Sequence, residues 1–324
     1  MDFVITAQKI NQVIKQANNI LLVAHQRPDA DALGSLLGLT EWLDSLGKNY
    51  QSFCRDLPLI TESLAFLFNL DLLETRPETL LQNNYDVVIV LDSGDLKYAG
   101  VDEVLPQLVS KPTLINIDHH ATNDNFGDIN LVNPQAVSTT EILYNFFQAN
   151  KIPISPTMAT GLLAGIIFDT SNFTNPNTTR NSLGVASRLL LAGARLPQIN
   201  DLILKNKTID GLRLWGKVLL RLNYQPEFSI ASTFIVSQDL PDQKSGREII
   251  EGIANFLNSL TGVKAILILY QEGPSLIKGS LRTNDDLIDV AELAKILGGG
   301  GHRKAAGFKI KGELVEIEGL WQII

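Results

Sequence analysis

Ile20-Leu21-Leu22-Val23-Ala24-His25-Gln26-Arg27-Pro28-Asp29-Ala30-Asp31 opens on apolar residues and closes on a histidine and two aspartates. A short apolar run bounded by turn residues reads as a buried strand, here ending at His25. Beyond it, Leu33, Leu36, Leu37, Trp42, Leu43 and Leu46 recur on one side of a helix that Gly47 is placed to stop. Val87-Val88-Ile89-Val90-Leu91 repeats the strand pattern and ends at Asp92. Thr113-Leu114-Ile115-Asn116-Ile117 repeats it again and ends at Asp118-His119-His120. Apolar runs alternating with helical patterns predict an α/β fold, a Rossmann-like parallel sheet with flanking helices. Each polar group closes the carboxyl end of its strand, the edge where open α/β sheets form their binding crevice. Clusters far apart in sequence are therefore expected to meet.

Met158 to Phe168 is apolar throughout and is compatible with a buried helix or a strand; it delivers Asp169 at its end. Ser138-Thr139-Thr140-Glu141 reads as a capping box on the following helix, and Asp95 as a turn or cap residue. A different pattern follows. Leu196 to Leu222 suits one or two connecting helices. Strand-like Ser229–Val236, Val263–Tyr270 and Leu276–Arg282 then surround a helix bearing Ile249, Ile253, Leu257 and Leu260, with another helix from Leu287 to Leu297. The expected division is residues 1–195, a helical connector over 196–226, and a smaller α+β domain over 227–324. There is no internal repeat and no low-complexity tract.

At 324 residues and 45% hydrophobic, the chain has enough apolar material for two cores. Its formal net charge of -8 opposes a long electrostatic track for duplex nucleic acid. A small anionic ligand held at one local site is not opposed. Cys54 is the single cysteine, so no internal disulfide forms and a reducing compartment is expected. The N-terminus leads into a polar helical pattern rather than a signal peptide, and no apolar run approaches the ~20 residues that cross a bilayer. A soluble, cytoplasmic protein is expected.

The four histidines, His25, His119, His120 and His302, all lie among aspartates or glycines. Neutral imidazoles beside carboxylates suit a divalent cation, and two such clusters suggest two cations and phosphate ester chemistry. His25 and Asp29 would share one ion, Asp92 would bridge, and His119 with Asp169 would complete the second, with Asp31 turned toward the same centre. Mixed oxygen and imidazole donors suit manganese, with magnesium, cobalt or iron as alternatives. Asp118 is placed to orient an imidazole. Gly298-Gly299-Gly300-Gly301 offers either a helix stop or bare backbone N–H groups for a phosphate, and His302 beside it favours the latter. Arg282 is either a strand-end surface residue or a phosphate ligand.

Together, His25-x-x-x-Asp29-x-Asp31, Asp92, Asp118-His119-His120, Asp169 and the run Gly298 to Gly307 resemble, in order, the motifs of the DHH phosphoesterase superfamily and its associated C-terminal domain. Within it the chain is most similar to bacterial nanoRNases that also act as 3′-phosphoadenosine-5′-phosphate (pAp) phosphatases. The resemblance implies one manganese on His25, Asp29 and Asp92 and another on Asp31, Asp92, His119 and Asp169. It implies His120 at the scissile phosphate, and Arg282, His302, Gly299, Gly300 and Gly301 at the substrate. Ala30 departs from the glycine of many relatives, so the loop there must accept a β-carbon. The implied substrates are single-stranded RNA fragments of two to five residues, linear dinucleotides such as pApA, and pAp. Long duplexes and membranes are not expected partners, and a homodimer is compatible. The alternatives are a pyrophosphatase- or exopolyphosphatase-like enzyme and a nucleotide sensor without catalysis.

Overall fold

The computed structural model describes residues 2–55, 64, 66–67, 70–204, 209–239, 252–254, 256–317 and 320–324. The chain divides into two units, Met1–Asn206 and Lys207–Ile324. In the first, β1 (Asn19–Ala24), β2 (Asn49–Phe53), β3 (Leu73–Glu74), β4 (Val87–Leu91), β5 (Thr113–Asp118) and β6 (Ile129–Val132) form one sheet. The order is β3-β2-β1-β4-β5-β6 and every pairing is parallel. The strand order reverses between β1 and β4, the place where doubly wound sheets open a crevice.

Around the sheet lie α1 (Phe3–Gln16), α2 (Ala30–Ser45), α3 (Pro77–Leu80), α4 (Thr139–Ala149), α5 (Pro156–Asp169), α6 (Arg180–Leu191) and α7 (Leu196–Leu204). Successive strand residues point to opposite faces. Ile20, Leu22, Ala24, Val87, Ile89 and Leu91 join α1, α2, α4, α5 and α6 in one apolar core. Leu21, Val23, Val88 and Val90 join Leu80 of α3, Val101 and Val104 in another. Both faces are covered, which is why these strands are apolar without alternation.

Met158–Phe168 resolves as α5, buried at every position from Met158 to Ile167. A helix apolar on all sides shows no period, so its sequence also fits a strand. Gly47 adopts φ 62 just beyond α2, the stop its position predicts. Leu46 is more exposed than a core position requires. Helices α2 and α5 cross backbone to backbone: a β-carbon on Gly34 would lie 2.3 Å from the Gly161 carbonyl oxygen. One on Gly165 would lie 2.5 Å from an Asp31 carboxylate oxygen. The start of α2 is thereby set beside the last turn of α5, which carries Asp169.

The second unit contains α8 (Ile209–Leu220), β7 (Asn223–Gln225), β8 (Ile230–Ile235), β9 (Ala265–Gly273), β10 (Leu276–Arg282), α9 (Val290–Ile296), β11 (Gly300–His302) and β12 (Ala305–Lys311). Its mixed sheet runs β11-β12-β10-β9-β8-β7, with β8 and β9 parallel and the other pairs antiparallel. Leu214 and Val218 of α8, with Ile253 and Leu257, cover Ile266 and Ile268 on one face. Val290, Ala291 and Ala294 of α9 cover Leu281, Ala306 and Phe308 on the other. A hairpin, β13 (Leu314–Ile317) and β14 (Leu320–Ile323), forms a separate two-stranded sheet that packs through Leu314 and Trp321 on Ile277 and Phe234. Ile249, expected on a helix, lies outside the described residues. The stretch expected as a connector is divided, α7 falling in the first unit and α8 in the second. Among the described residues, no helix is long and apolar enough to cross a membrane.

Candidate metal centre

Ala24 pairs with Leu91, and Leu91 with Ile117, so His25, Asp92 and Asp118 leave the sheet side by side at its carboxyl edge. Asp92 takes a left-handed φ of 56 and its N–H donates to the Ile117 carbonyl at 3.0 Å. Aspartate is among the few non-glycine residues that accept this backbone region. The turn aims its carboxylate back across the strand ends.

His25 is fixed on both sides. Its Nδ1 lies 2.6 Å from the Gln26 carbonyl and its ring stacks on Tyr98 at 5.0 Å between centroids. A proton on Nδ1 donated to that carbonyl leaves Nε2 as a ligand atom. Asp29 caps α2, its Oδ1 accepting from the N–H groups of Asp31 and Ala32 at 2.9 and 3.1 Å. Ala30 begins the helix with its side chain buried, so the β-carbon is accommodated. Asp31 is fully buried against the first turn of α4. Its Oδ2 accepts from Thr139 N–H at 2.6 Å, and its Oδ1 from Thr140 N–H at 2.9 Å and the Thr140 hydroxyl at 2.6 Å. The orphan donors of a helix N-terminus thus bind a carboxylate.

Asp92 stands in the middle. Its Oδ2 is 3.4 Å from His25 Nε2, and its Oδ1 is 3.5 Å from His119 Nε2. His119 Nε2 is also 3.3 Å from Asp169 Oδ2. Among the described residues, three groups of potential ligands result, each with atoms within 4.8 Å of one another: His25, Asp29 and Asp92; Asp31, His119 and Asp169; Asp92, His119 and His120. His120 differs from His119. Its Nδ1 is 2.7 Å from Asp118 Oδ1, and its side chain is 43% exposed against 18% for His119.

The charge pattern is lopsided. Burial, then repulsion from Asp31, Asp29 and Asp92, pushes Asp169 up to about 11. Burial and the charges of Asp92 and Asp29 push Asp31 up as well, against its Thr140 hydrogen bonds. Burial also acts upward on Asp92, but His25, His119 and His120 outweigh it and hold that carboxyl at about 2. Burial acts downward on His25; the Asp92 hydrogen bond and charge overcome it and raise the imidazole to about 9. The Asp118 hydrogen bond raises His120 to about 8. Buried carboxylates short of positive charge, mixed with imidazole nitrogens, are a donor set that fits divalent cations.

Other expected residues take identifiable places. Ser138 accepts from Glu141 N–H at 3.1 Å, while Glu141 reaches back to Val137 N–H at 2.8 Å, so the capping reading describes it. Asp95 accepts from Tyr98 N–H at 2.7 Å in a turn. Arg282 and His302 belong to the second unit, where both are register partners of Ala305. Part of the glycine run is explained by packing. Gly298, at φ 74, ends α9, and a β-carbon on Gly299 would stand 2.1 Å from the Gly307 carbonyl oxygen. Gly300 and Gly301 are strand residues rather than a loop, and a β-carbon on Gly300 meets nothing within 4 Å.

Reading along the chain does not reveal Thr139, Thr140, Asn123 or Tyr98. The Thr139 hydroxyl donates to Asp92 Oδ1 at 3.0 Å while its N–H holds Asp31, so one residue ties two of the carboxylates together. Asn123 donates to Asp118 Oδ2 at 2.6 Å, behind the Asp118–His120 pair. A threonine at a helix start and an asparagine in a loop look like local caps. The signal that could have found Thr139 and Thr140 is a helix N-terminus opening at the ligand-binding edge.

Residues 19–166 match the DHH family, N-terminal domain, and residues 231–319 match the DHHA1 domain. The bifunctional oligoribonuclease and PAP phosphatase NrnA of Thermus thermophilus is 30% identical to the chain, covering 94% of it and 88% of the relative. The chain belongs to the DHH family. The NrnA of Bacillus subtilis is 29% identical over 92% of this DHH protein and 91% of its own length. Among solved structures, an exopolyphosphatase-related protein from Bacteroides fragilis shares the fold with a TM-score of 0.81 at 24% identity, covering 94% of this chain and 90% of its own. Exonuclease RecJ bound to manganese has a TM-score of 0.52 at 16% identity, over 95% and 90% of the two chains.

Proposed function

We propose that this DHH protein is a metal-dependent hydrolase that cleaves oligoribonucleotides of two to five residues, including pApA, to mononucleotides, and pAp to AMP. The observation that carries the reading is the position of Asp92, whose two oxygens face His25 on one side and His119 on the other at nearly equal distances. NrnA relatives named as oligoribonucleases and PAP phosphatases, similar along nearly the whole chain, support the substrate class.

In this reading His25, Asp29 and Asp92 hold one cation, and Asp31, Asp92, His119 and Asp169 the other, with manganese suited to the donor mixture. Two such cations supply charge to neutralise the phosphate oxygens and lower the pKa of a water positioned for in-line attack. The chain contributes the rest. Thr139 and Thr140 keep Asp31 and Asp92 in place before substrate arrives. His120, exposed and held through Nδ1 by Asp118, offers a hydrogen bond to the phosphate as negative charge builds on it. Asp118 and Asn123 fix the imidazole so that Nε2 is its remaining polar atom. Arg282 and His302 bind a substrate phosphate. A reducing, cytoplasmic setting agrees with a single, buried cysteine, Cys54.

Purified protein with manganese should hydrolyse a labelled five-mer RNA, pApA and pAp, and leave pyrophosphate intact. Cleavage of pyrophosphate alone would establish the pyrophosphatase alternative, and binding of pAp without turnover the sensor.

A further inference from the structure

Among the described residues, one face of the second unit's sheet packs on α9, while α8 and its neighbours pack on the other mainly over β8 and β9. The remainder of that second face, over β10, β12 and β11, is arranged in rows by strand register. Arg282, Ala305 and His302 form one row, Ser280, Gly307 and Gly300 the next, and Lys278 with Lys309 the third. Small residues pave the middle, and cationic groups stand at both ends. Space above the middle is open at Gly300.

Among the described residues, Arg282 and His302 form no ion pair, and Lys278 makes no direct one although it lies near enough to help lower the Glu272 carboxyl; the chain as a whole is acidic. Lys278 is held over the Tyr270 ring at 5.6 Å, an arrangement that orients its amine without neutralising it. Lys309 is different: its Nζ lies 2.5 Å from Glu272 Oε2, so its charge is largely offset. Two lysines stand against the one Glu272 carboxylate, so the third row keeps a net positive charge. Lys278 and Arg282 are four positions apart on β10, about 13 Å at strand rise. A single phosphate cannot touch both.

We propose that Lys278 is the centre of a second phosphate subsite on this face, which engages a further backbone phosphate of an oligonucleotide whose first is bound at Arg282 and His302. The inference rests on the oligonucleotide reading above and adds to it a determinant of substrate length. pAp, with one nucleoside, reaches only the first row. A longer fragment lies across the glycine and alanine floor and gains the lysine.

The test is steady-state kinetics of the full-length protein with manganese on pAp and on a five-mer RNA, for wild type, Lys278→Gln and Lys278→Arg. The expected result for Lys278→Gln is a rise in five-mer KM of about tenfold, the loss of one charge-assisted contact, with pAp KM changed by less than about twofold. The salt dependence of the five-mer KM should become shallower by about 0.7 in log–log slope. Lys278→Arg should restore both. If wild type cleaves both substrates and Lys278→Gln alters both KM values alike, or neither, the subsite is overturned and the Arg282–His302 reading stands. If wild type cleaves neither substrate, the oligonucleotide reading falls and the subsite falls with it.

Discussion

Asp92 and His120 lie 3.8 Å apart at closest approach and do separate work. Asp92→Asn removes the charge shared between the two sides of the cluster, so two cations there would repel with poor compensation. At least one tightly held ion and nearly all hydrolysis should be lost. Two metals per chain by elemental analysis, with near-normal turnover in that variant, would refute the bridging role. His120→Ala predicts the opposite pairing of results. Its imidazole is committed to Asp118 through Nδ1 and is the more exposed of the two neighbours, so metal content should persist while turnover falls about a hundredfold or more. If His120→Ala empties a site and His119→Ala leaves both filled, the two roles are reversed.

At the scale of elements, the centre depends on how closely α5 approaches α2 and α4. A β-carbon on Gly165 would stand 2.4 Å from the Thr140 hydroxyl and 2.5 Å from Asp31 Oδ1. Alanine is the better helix former by about 1 kcal/mol, so helix propensity alone predicts that Gly165→Ala raises Tm. The crowding predicts a lower Tm together with weaker manganese binding by calorimetry, and a higher Tm with unchanged binding would show that the approach has slack. This element-level geometry marks the limit of what the sequence discloses. His25, Asp29, Asp31, Asp92, His119 and Asp169 were legible because each closes an apolar run or opens a helix. The strands β2, β3 and β6 were not: Asn49-Tyr50-Gln51-Ser52-Phe53 mixes polar and apolar residues, and β3 is a single pair. The helix α5 was ambiguous because burial on all sides erases its period. The contact from Thr139 to Asp31 spans 108 residues, and nothing local to either residue announces it.

For the molecule as a whole, the cluster sets a pH dependence that metal should abolish. Without metal, Asp169 is pushed up to about 11 and His25 to about 9. Above pH 4 or so, the unfolded chain has released the aspartate proton while the folded chain keeps it, so stability falls as pH rises. His25 acts in the same direction, its stabilisation full below its ordinary value and lost as pH climbs through about 9. Asp92, at about 2, stays ionised across that window and adds no slope. Chelator-treated protein should therefore melt at a lower temperature near pH 8.5 than near pH 5.5, and manganese should remove or invert the difference. A flat or rising Tm in chelator would contradict this balance of charges. A second whole-molecule prediction separates binding from chemistry. Arg282→Ala should weaken binding of pAp and dinucleotides by about 1.5–3 kcal/mol, the worth of one charged hydrogen-bonded contact. Hydrolysis of bis-p-nitrophenyl phosphate, a small ester with no second phosphate, should change little. Equal losses on both substrates would mean that Arg282 supports the fold or the centre instead.

The left-handed turn at Asp92 also bears on descent. Asparagine and glycine share aspartate's tolerance of that backbone, whereas glutamate, the other acid, fits it poorly. Position 92 thus has one acidic occupant open to it, and a gene copy released from selection for hydrolysis would drift to asparagine or glycine without disturbing the strand end. A homologue with asparagine at this position, between an intact equivalent of His25 and an intact Asp-His-His triplet, is where a retired paralogue should be sought.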